Sequence, residues 1–139
     1  MSRTMALDVG DKTIGVAISD PLGITAEPLT VLRRGESVKA DLRAVEELIA
    51  QYDVSRVVVG LPIMLGGEEG VQAAKVREFV ERLSKRARVP VVTWDERLTT
   101  AEAERALLEA DASREKRKRV IDKVAAAIIL RSYLAANKE

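Results

Sequence analysis

The apolar and polar positions in the first third of the chain predict three β-strands. Two apolar runs, TMALDV (4–9) and IGVAIS (14–19), are separated by the short polar segment GDKT, and this spacing predicts a hairpin. A third extended stretch runs from about 24 to 32, after a DPLG segment (20–23) whose proline and glycine are typical of a β-turn. This part of the chain therefore predicts a three-stranded antiparallel meander.

The remainder of the chain alternates between helical and strand-like periodicity. Segment 36–52 has apolar residues at helical spacing, and segment 55–62 is a largely apolar run typical of a strand buried on both faces. A glycine-containing loop (64–70), a second amphipathic helix through Val76 and Leu83, and a buried strand (89–94) are predicted next. A further helix is predicted to begin after Trp94, where Thr99 and Glu102 have the spacing of a capping box. The last predicted helix covers about 115–137.

This order of elements predicts an α/β domain built on a mixed five-stranded sheet. Three antiparallel strands come first and two parallel strands are added by crossover helices, so that helices flank both faces of the sheet. No internal repeat, low-complexity tract or linker interrupts the chain. We therefore expect residues 1–139 to form a single domain.

The amino-acid composition removes several classes of chemistry. The chain has no cysteine and no histidine, which excludes thiol nucleophiles, Cys/His zinc sites and any catalytic triad with an imidazole base. Carboxylates, Lys and Arg, hydroxyls, or a hard metal ion held by oxygen ligands remain. No apolar run approaches the roughly 20 residues of a membrane span. We also find no signal peptide, so we expect a cytoplasmic protein with no membrane partner.

Acidic residues occupy three places where carboxylates are less expected. Asp8 lies at the end of the first predicted strand, Asp95 and Glu96 follow the last strand, and Asp122 interrupts the apolar side of the final helix. Ligands of open α/β sheets bind beyond the carboxyl ends of the strands. Three carboxylates converging there would form an oxygen cage for Mg²⁺ or Mn²⁺, and a two-metal cage serves phosphodiester hydrolysis.

Each acid also has a plain structural interpretation. Asp8 would be a turn or cap residue, the acids of the DER segment would belong to a helix-entry loop, and Asp122 would pair with Lys118 or Lys123 on its own helix. Taken singly, no acid identifies a site. Their combination favours one.

Charge is distributed unevenly, although the net charge is only +1. The segment REKRKR (114–119) concentrates cations, including Arg117, Lys118 and Arg119. Such a run is most often a solvated helix start, but beside a metal cage it would neutralise the phosphates of a nucleic acid. Aromatic residues are scarce, so contact with the backbone is favoured over stacking on bases.

Several sequence blocks resemble a known family. They are LDVGDKTIGVAISDPLGITAEPL, VVVGLPIMLGGEEG, DERLTTAEAE and IDKVAAAIILRSYL, and together they resemble the YqgF/RuvX family over nearly the whole chain. The resemblance implies a ribonuclease H-like fold related to Holliday-junction resolvases of the RuvC type. It also implies a nuclease that processes the 5′ end of precursor 16S ribosomal RNA in ribosome biogenesis. An older label for the family is Holliday-junction resolvase.

The same resemblance implies that Asp8, Glu96 and Asp122 are the catalytic, metal-binding residues, with Mg²⁺ or Mn²⁺ as cofactor. Strand alternation sends Asp95 and Glu96 in different directions. The resemblance favours Glu96, so Asp95 is the second choice in the DER segment.

Substrate contacts also follow from the resemblance. Lys12 would reach a phosphate, and Arg97 and Thr99 would contact the scissile strand, unless Thr99 only caps its helix. The LGGEEG loop would close over the substrate.

The sequence is also compatible with other functions. Resolution of four-way DNA junctions in recombination and repair would require a homodimer, because the substrate has two-fold symmetry. A non-enzymatic RNA- or ribosome-binding adapter would carry the same acids as vestiges. The first block also resembles the phosphate hairpin of actin-like ATPases, but these need a second domain that this chain lacks. The partner expected in the favoured interpretations is a nucleic acid, either an rRNA precursor or branched DNA.

Overall fold

A computed structural model describes residues 2–98 and 114–137, and within these ranges the side chains of 2–97 and 124–137. Its strands are β1 (Arg3–Val9), β2 (Thr13–Ser19), β3 (Ala26–Arg33), β4 (Val54–Leu61) and β5 (Val91–Asp95), and its helices are α1 (Val38–Gln51), α2 (Val71–Arg86) and α3 (Arg114–Ala136). These elements match the predicted ones apart from small shifts at their ends. The helix expected after Trp94 begins as a 3₁₀ turn, Glu96–Leu98, and its continuation lies outside the described residues.

The sheet has the strand order β3-β2-β1-β4-β5, with β1 in the centre. β1 pairs antiparallel with β2, and β2 antiparallel with β3. β4 and β5 are added on the other side of β1 in parallel. The predicted mixed sheet is therefore confirmed, and the carboxyl ends of β1, β4 and β5 meet along one edge.

Helices cover both faces of this sheet, as predicted. On one face, apolar side chains of β1, β2 and β4 pack with those of α1 and α2 around residues such as Leu42 and Phe79. On the other face, the small residues Ala6 and Ala17 lie against α3, whose Ala126, Ile129, Leu130 and Tyr133 complete a second core. Within the described ranges, no helix combines the length and apolar character required to cross a membrane.

One strand differs from its prediction. The segment at 89–94 was expected to be buried, but the residues of β5 are only half-buried. The physical reason is its place at the edge of the sheet, where β4 is its one neighbouring strand in the strand order.

The β1–β2 turn is held by a partly buried arginine. The Arg34 backbone N–H donates to the carbonyl of Lys12 at 2.9 Å, and its Nη1 donates to the carbonyl of Gly10 at 2.8 Å. Its Nε forms an ion pair with buried Asp41 at 2.9 Å, and its guanidinium lies 5.6 Å from the ring centre of Phe79. This network fixes the chain immediately after Asp8.

Candidate active site

Strand alternation places Asp8 on the face of the sheet covered by α3. Along β1, Met5, Leu7 and Val9 pack into the core formed with α1 and α2, whereas Ala6 packs against α3. Asp8 shares the phase of Ala6, because side chains two residues apart on a strand lie on the same face. Its side chain is partly buried there.

Glycines flank Asp8 on both neighbouring strands. Gly15 of β2 is its registered partner. On the other side, Leu7 is registered with Val59 of β4, so Gly60 is the next residue of β4 beside Asp8. Neither glycine presents a side chain to the α3 face, which leaves space for carboxylate groups at this edge.

Glu96 fills that space from the end of β5. Val92 and Trp94 pack into the α3 core, and Glu96 continues the same alternation one residue beyond the strand. Burial raises the pKa of Glu96 to about 8, aided by the charge of Asp8, a hydrogen bond with Asp8 and the charge of Asp95. The fold thus holds the carboxyl groups of Asp8 and Glu96 against each other. Without a cation, Glu96 retains its proton near neutral pH.

The adjacent acid has a different environment. The Asp95 carboxylate accepts hydrogen bonds from the Arg97 backbone N–H at 2.9 Å and from its Nη2 at 2.7 Å. The side-chain hydrogen bond with Arg97 lowers the pKa of Asp95 below its usual value. Of the two acids in the DER segment, Glu96 is therefore the one that lies against Asp8, and Asp95 braces the turn through Arg97.

The arrangement of Asp8 and Glu96 suits a divalent cation. Two oxygen donors of like charge repel each other once both are ionised, and a hard dication between them removes that repulsion. Among the residues whose side chains are described, no three His, Cys, Asp or Glu form a metal-binding group. The third predicted ligand, Asp122, belongs to α3, and its side chain lies outside the described residues.

The other predicted contact residues are dispersed or lie outside the described part. Lys12 is exposed in the β1–β2 turn. Thr99 is not among the described residues, and Arg117, Lys118 and Arg119 belong to the start of α3, whose side chains are not described.

The LGGEEG loop lies beside Arg97. A turn closes it, with the Gly67 N–H donating to the Met64 carbonyl and the Met64 N–H donating to the Glu68 carbonyl, both at 2.8 Å. A β-carbon on Gly67 would lie 3.7 Å from Nη1 of Arg97. The proximity brings this loop to the edge that carries Glu96.

Two sets of residues around the site were not predicted from the sequence. Glu96 already occupies the place of a side chain at Gly60, since a β-carbon there would lie 2.7 Å from Oε1 of Glu96. A single glycine inside the apolar run VVVGLP was the available signal, because glycine in a strand often marks a close approach. The Arg34–Asp41 ion pair had no comparable signal, since Asp41 reads as an ordinary first-turn acid of α1.

The chain is similar to proteins of one family. A protein-family model described as "RuvX: Holliday junction resolvase" matches residues 2–136. A protein of Caldanaerobacter subterraneus subsp. tengcongensis named "Putative pre-16S rRNA nuclease" is 55% identical over 98% of this chain and 98% of its own length. A protein of Desulforamulus reducens with the same name is 52% identical over 95% of this chain and 96% of its own length.

Solved structures show the same fold. Thermus thermophilus RuvC in complex with a Holliday junction substrate superimposes with a TM-score of 0.61 at 18% identity, covering 98% of this chain and 95% of its own. A second structure of RuvC from that organism gives a TM-score of 0.55 at 17% identity, covering 96% and 95% of the two chains. The fold is thus the ribonuclease H-like fold of RuvC, and the chain belongs to the RuvX family.

Proposed function

We propose that this chain is a divalent-metal-dependent nuclease that processes the 5′ end of precursor 16S rRNA. The observation that carries the proposal is the pairing of Asp8 and half-buried Glu96 at the carboxyl edge of the sheet. The names of the relatives at 52% and 55% identity supply the substrate class. In this proposal the nuclease works in the cytoplasm, where its precursor substrate is made.

Asp8, Glu96 and Asp122 would hold Mg²⁺ or Mn²⁺. Position 122 precedes Ala126 by four residues and Ile129 by seven. Residues at these spacings lie on the same face of a helix. Ala126 and Ile129 both pack against the sheet face that carries Asp8. When bound, such an ion lowers the pKa of water and stabilises charge on the departing oxygen of a phosphodiester.

The remaining residues would orient the substrate strand. Asp8 and Glu96 must both be ionised to hold a dication, so the Glu96 carboxyl must release its proton before the site is competent. Arg97, fixed by Asp95, presents a cation next to this site, and Lys12 presents another from the adjacent turn. Phosphate oxygens are their natural partners, because charge-assisted hydrogen bonds to phosphate are strong.

Resolution of four-way DNA junctions is the second candidate function. The description of the matching family model favours it. This activity would require two copies of the site in a homodimer, since a junction is cut symmetrically on two strands.

A cleavage assay separates these functions. Wild-type protein and Asp8→Asn would each be incubated with Mn²⁺ or Mg²⁺ and one of three substrates: a precursor 16S 5′-end fragment, an unrelated single-stranded RNA, or a four-way DNA junction. Asp8→Asn removes the charge and keeps the shape of the side chain, so we expect it to abolish cleavage while the protein remains folded. Asp20→Asn is the matched control and should cleave like the wild type.

Cleavage of the precursor fragment that is lost in Asp8→Asn would support the proposal. Symmetric nicking of the junction would replace it with the resolvase. RNA binding without cleavage of any substrate would indicate an adapter. Cleavage by Asp8→Asn at the wild-type rate would show that the proposed site is wrong.

A further inference from the structure

We propose that Gly60 is a positioning residue, and that the missing side chain at position 60 creates the space in which Glu96 reaches Asp8. The inference rests on the proposed function, because it assigns Gly60 a role in the same metal-binding pair. Gly60 lies in β4 and has no side chain with which to bind a substrate or a cation itself.

The space around Gly60 is already occupied by other side chains. A β-carbon on this residue would lie 2.6 Å from Cδ1 of Ile129, 2.7 Å from Oε1 of Glu96 and 2.9 Å from Cγ of Glu96. All three separations are shorter than non-bonded carbon contacts allow. Any larger residue at this position must displace the side chain of Glu96, the side chain of Ile129, or both.

The requirement is for space rather than for backbone conformation. Gly60 is not among the positive-φ glycines, which are Gly23 and Gly67. A β-carbon on Gly35 would meet ordinary contacts of 3.6 and 3.8 Å, and one on Gly66 would meet nothing within 4 Å. Among the glycines whose surroundings are described, only Gly60 excludes a β-carbon so strongly.

The position of Gly60 in the sheet explains why Glu96 is the residue affected. On one side, Gly60 is registered with Trp94 of β5, and Glu96 lies two residues after Trp94. On the other side, Val59 is registered with Leu7 of β1, so Gly60 lies beside Asp8. A side chain that extends from the end of β5 towards Asp8 therefore passes over β4 at Gly60. A residue with a side chain there would stand between the two carboxyl groups.

Two neighbours make a single substitution ambiguous, and a second substitution resolves it. Ile129 is buried in the α3 core, so Gly60→Ala alone would also strain the packing of the helix. Ile129→Val removes Cδ1, the nearest atom, and leaves Glu96 as the remaining obstacle. Comparing Gly60→Ala/Ile129→Val with Ile129→Val therefore isolates the effect on Glu96.

The test is Mn²⁺ binding measured by calorimetry, together with thermal melting. We expect Gly60→Ala/Ile129→Val to bind Mn²⁺ at least about tenfold more weakly than Ile129→Val, since residues that orient metal ligands typically contribute 10- to 100-fold in affinity. In a Glu96→Gln background the same comparison should give no further loss, because the residue being positioned is already disabled. Gly35→Ala is the control and should bind like the wild type.

Equal Mn²⁺ affinities for the double variant and Ile129→Val would overturn the inference, as would a further loss of equal size in the Glu96→Gln background. A crystal structure of the double variant reads the positioning without any metal: Glu96 displaced from Asp8 supports it, and Glu96 in its original place overturns it. If the wild type neither binds Mn²⁺ nor cleaves RNA, the proposed function fails, while the crystal structure still decides the role of Gly60.

Discussion

The two ends of the sheet each place an aspartate next to a strand end, in opposite environments. At the carboxyl edge of β1, Asp8 lies against Glu96, whose burial raises its pKa to about 8. At the other end, Asp20 follows β2, and its Oδ1 accepts the backbone N–H groups of Ile24 at 2.7 Å and Thr25 at 2.9 Å. Backbone hydrogen bonds, led by that of Thr25, hold the pKa of Asp20 below its usual value.

This contrast separates a structural acid from a candidate ligand. Asp20 stabilises its own turn, as aspartate commonly does. The turn after Asp8 is supported instead by Arg34, which donates to the carbonyl of Gly10 and is itself held by Asp41. The fold thus supplies separate residues to shape the chain around Asp8, and two carboxyl groups meet where a cation would stabilise them.

A large effect on stability is expected from Arg34 and Asp41, which support the turn after Asp8. Asp41→Asn removes the charge partner of Arg34, whose side chain is only 19% exposed. Removing Asp41 as the partner leaves the charge of the partly buried guanidinium uncompensated, so we expect a loss of about 3 kcal/mol in the free energy of unfolding, at the low end of the range for ion pairs that are fully buried. Urea denaturation measures this loss.

The control for this prediction is Asp20→Asn. Its turn is exposed, and the asparagine oxygen still accepts the same N–H groups, so the loss should be clearly smaller. Equal losses of stability for the two variants would mean that the turn after Asp8 depends on Asp41 no more than the exposed turn depends on Asp20.

A pH-dependent effect on stability is expected from the proton on Glu96. In metal-free protein this carboxyl keeps its proton up to about pH 8, whereas an unperturbed glutamate releases it near 4.5. The folded state therefore binds more protons between these values, and its stability must fall as the pH rises through this window. Asp8 and Asp95 are the acids whose charges raise the Glu96 pKa.

Glu96→Gln should remove this pH dependence and stabilise the metal-free protein at pH 8. Thermal melting in EDTA from pH 5 to pH 8.5 measures the effect, with Glu69→Gln as the control because Glu69 is paired on the surface with Arg77. A wild-type stability that rises with pH across this range would contradict the predicted environment of Glu96.

The sheet and its helices were predictable because each rests on local periodicity. The apolar runs of β1, β2 and β4 marked these segments as strands, and the alternation of side chains along a strand separates Asp95 from Glu96. The half-buried state of β5 was not predictable, because an edge position depends on strand order. The Gly60 contacts were likewise hidden, since they join residues from β4, β5 and α3 that are distant in sequence.

The smallest effect is expected from the basic run at the start of α3. Replacing Arg117, Lys118 and Arg119 by Ala should weaken binding of single-stranded RNA roughly tenfold and reduce the slope of log affinity against log salt by about 2, since each neutralised phosphate contributes about 0.7. Filter binding at several salt concentrations gives both values.

The matched control for the basic run is a triple Ala variant of the exposed cations Lys39, Lys85 and Arg88, which belong to the α1 and α2 side of the sheet. It should retain the wild-type salt slope. A salt slope left unchanged by the first triple variant would return the basic run to a solvated helix start.

We expect Asp8 and Glu96 together to hold a divalent cation, and a Mn²⁺ titration measures this binding in the absence of substrate. Mn²⁺ would be added to wild-type protein, Asp8→Asn and Asp20→Asn in a calorimeter, with no nucleic acid present. We expect equal affinities for wild type and Asp20→Asn, and a loss of roughly 100-fold or more for Asp8→Asn, because Asp8 lies beside Glu96 and Asp20 lies at the other end of the sheet. Wild-type Mn²⁺ affinity in Asp8→Asn would contradict this expectation.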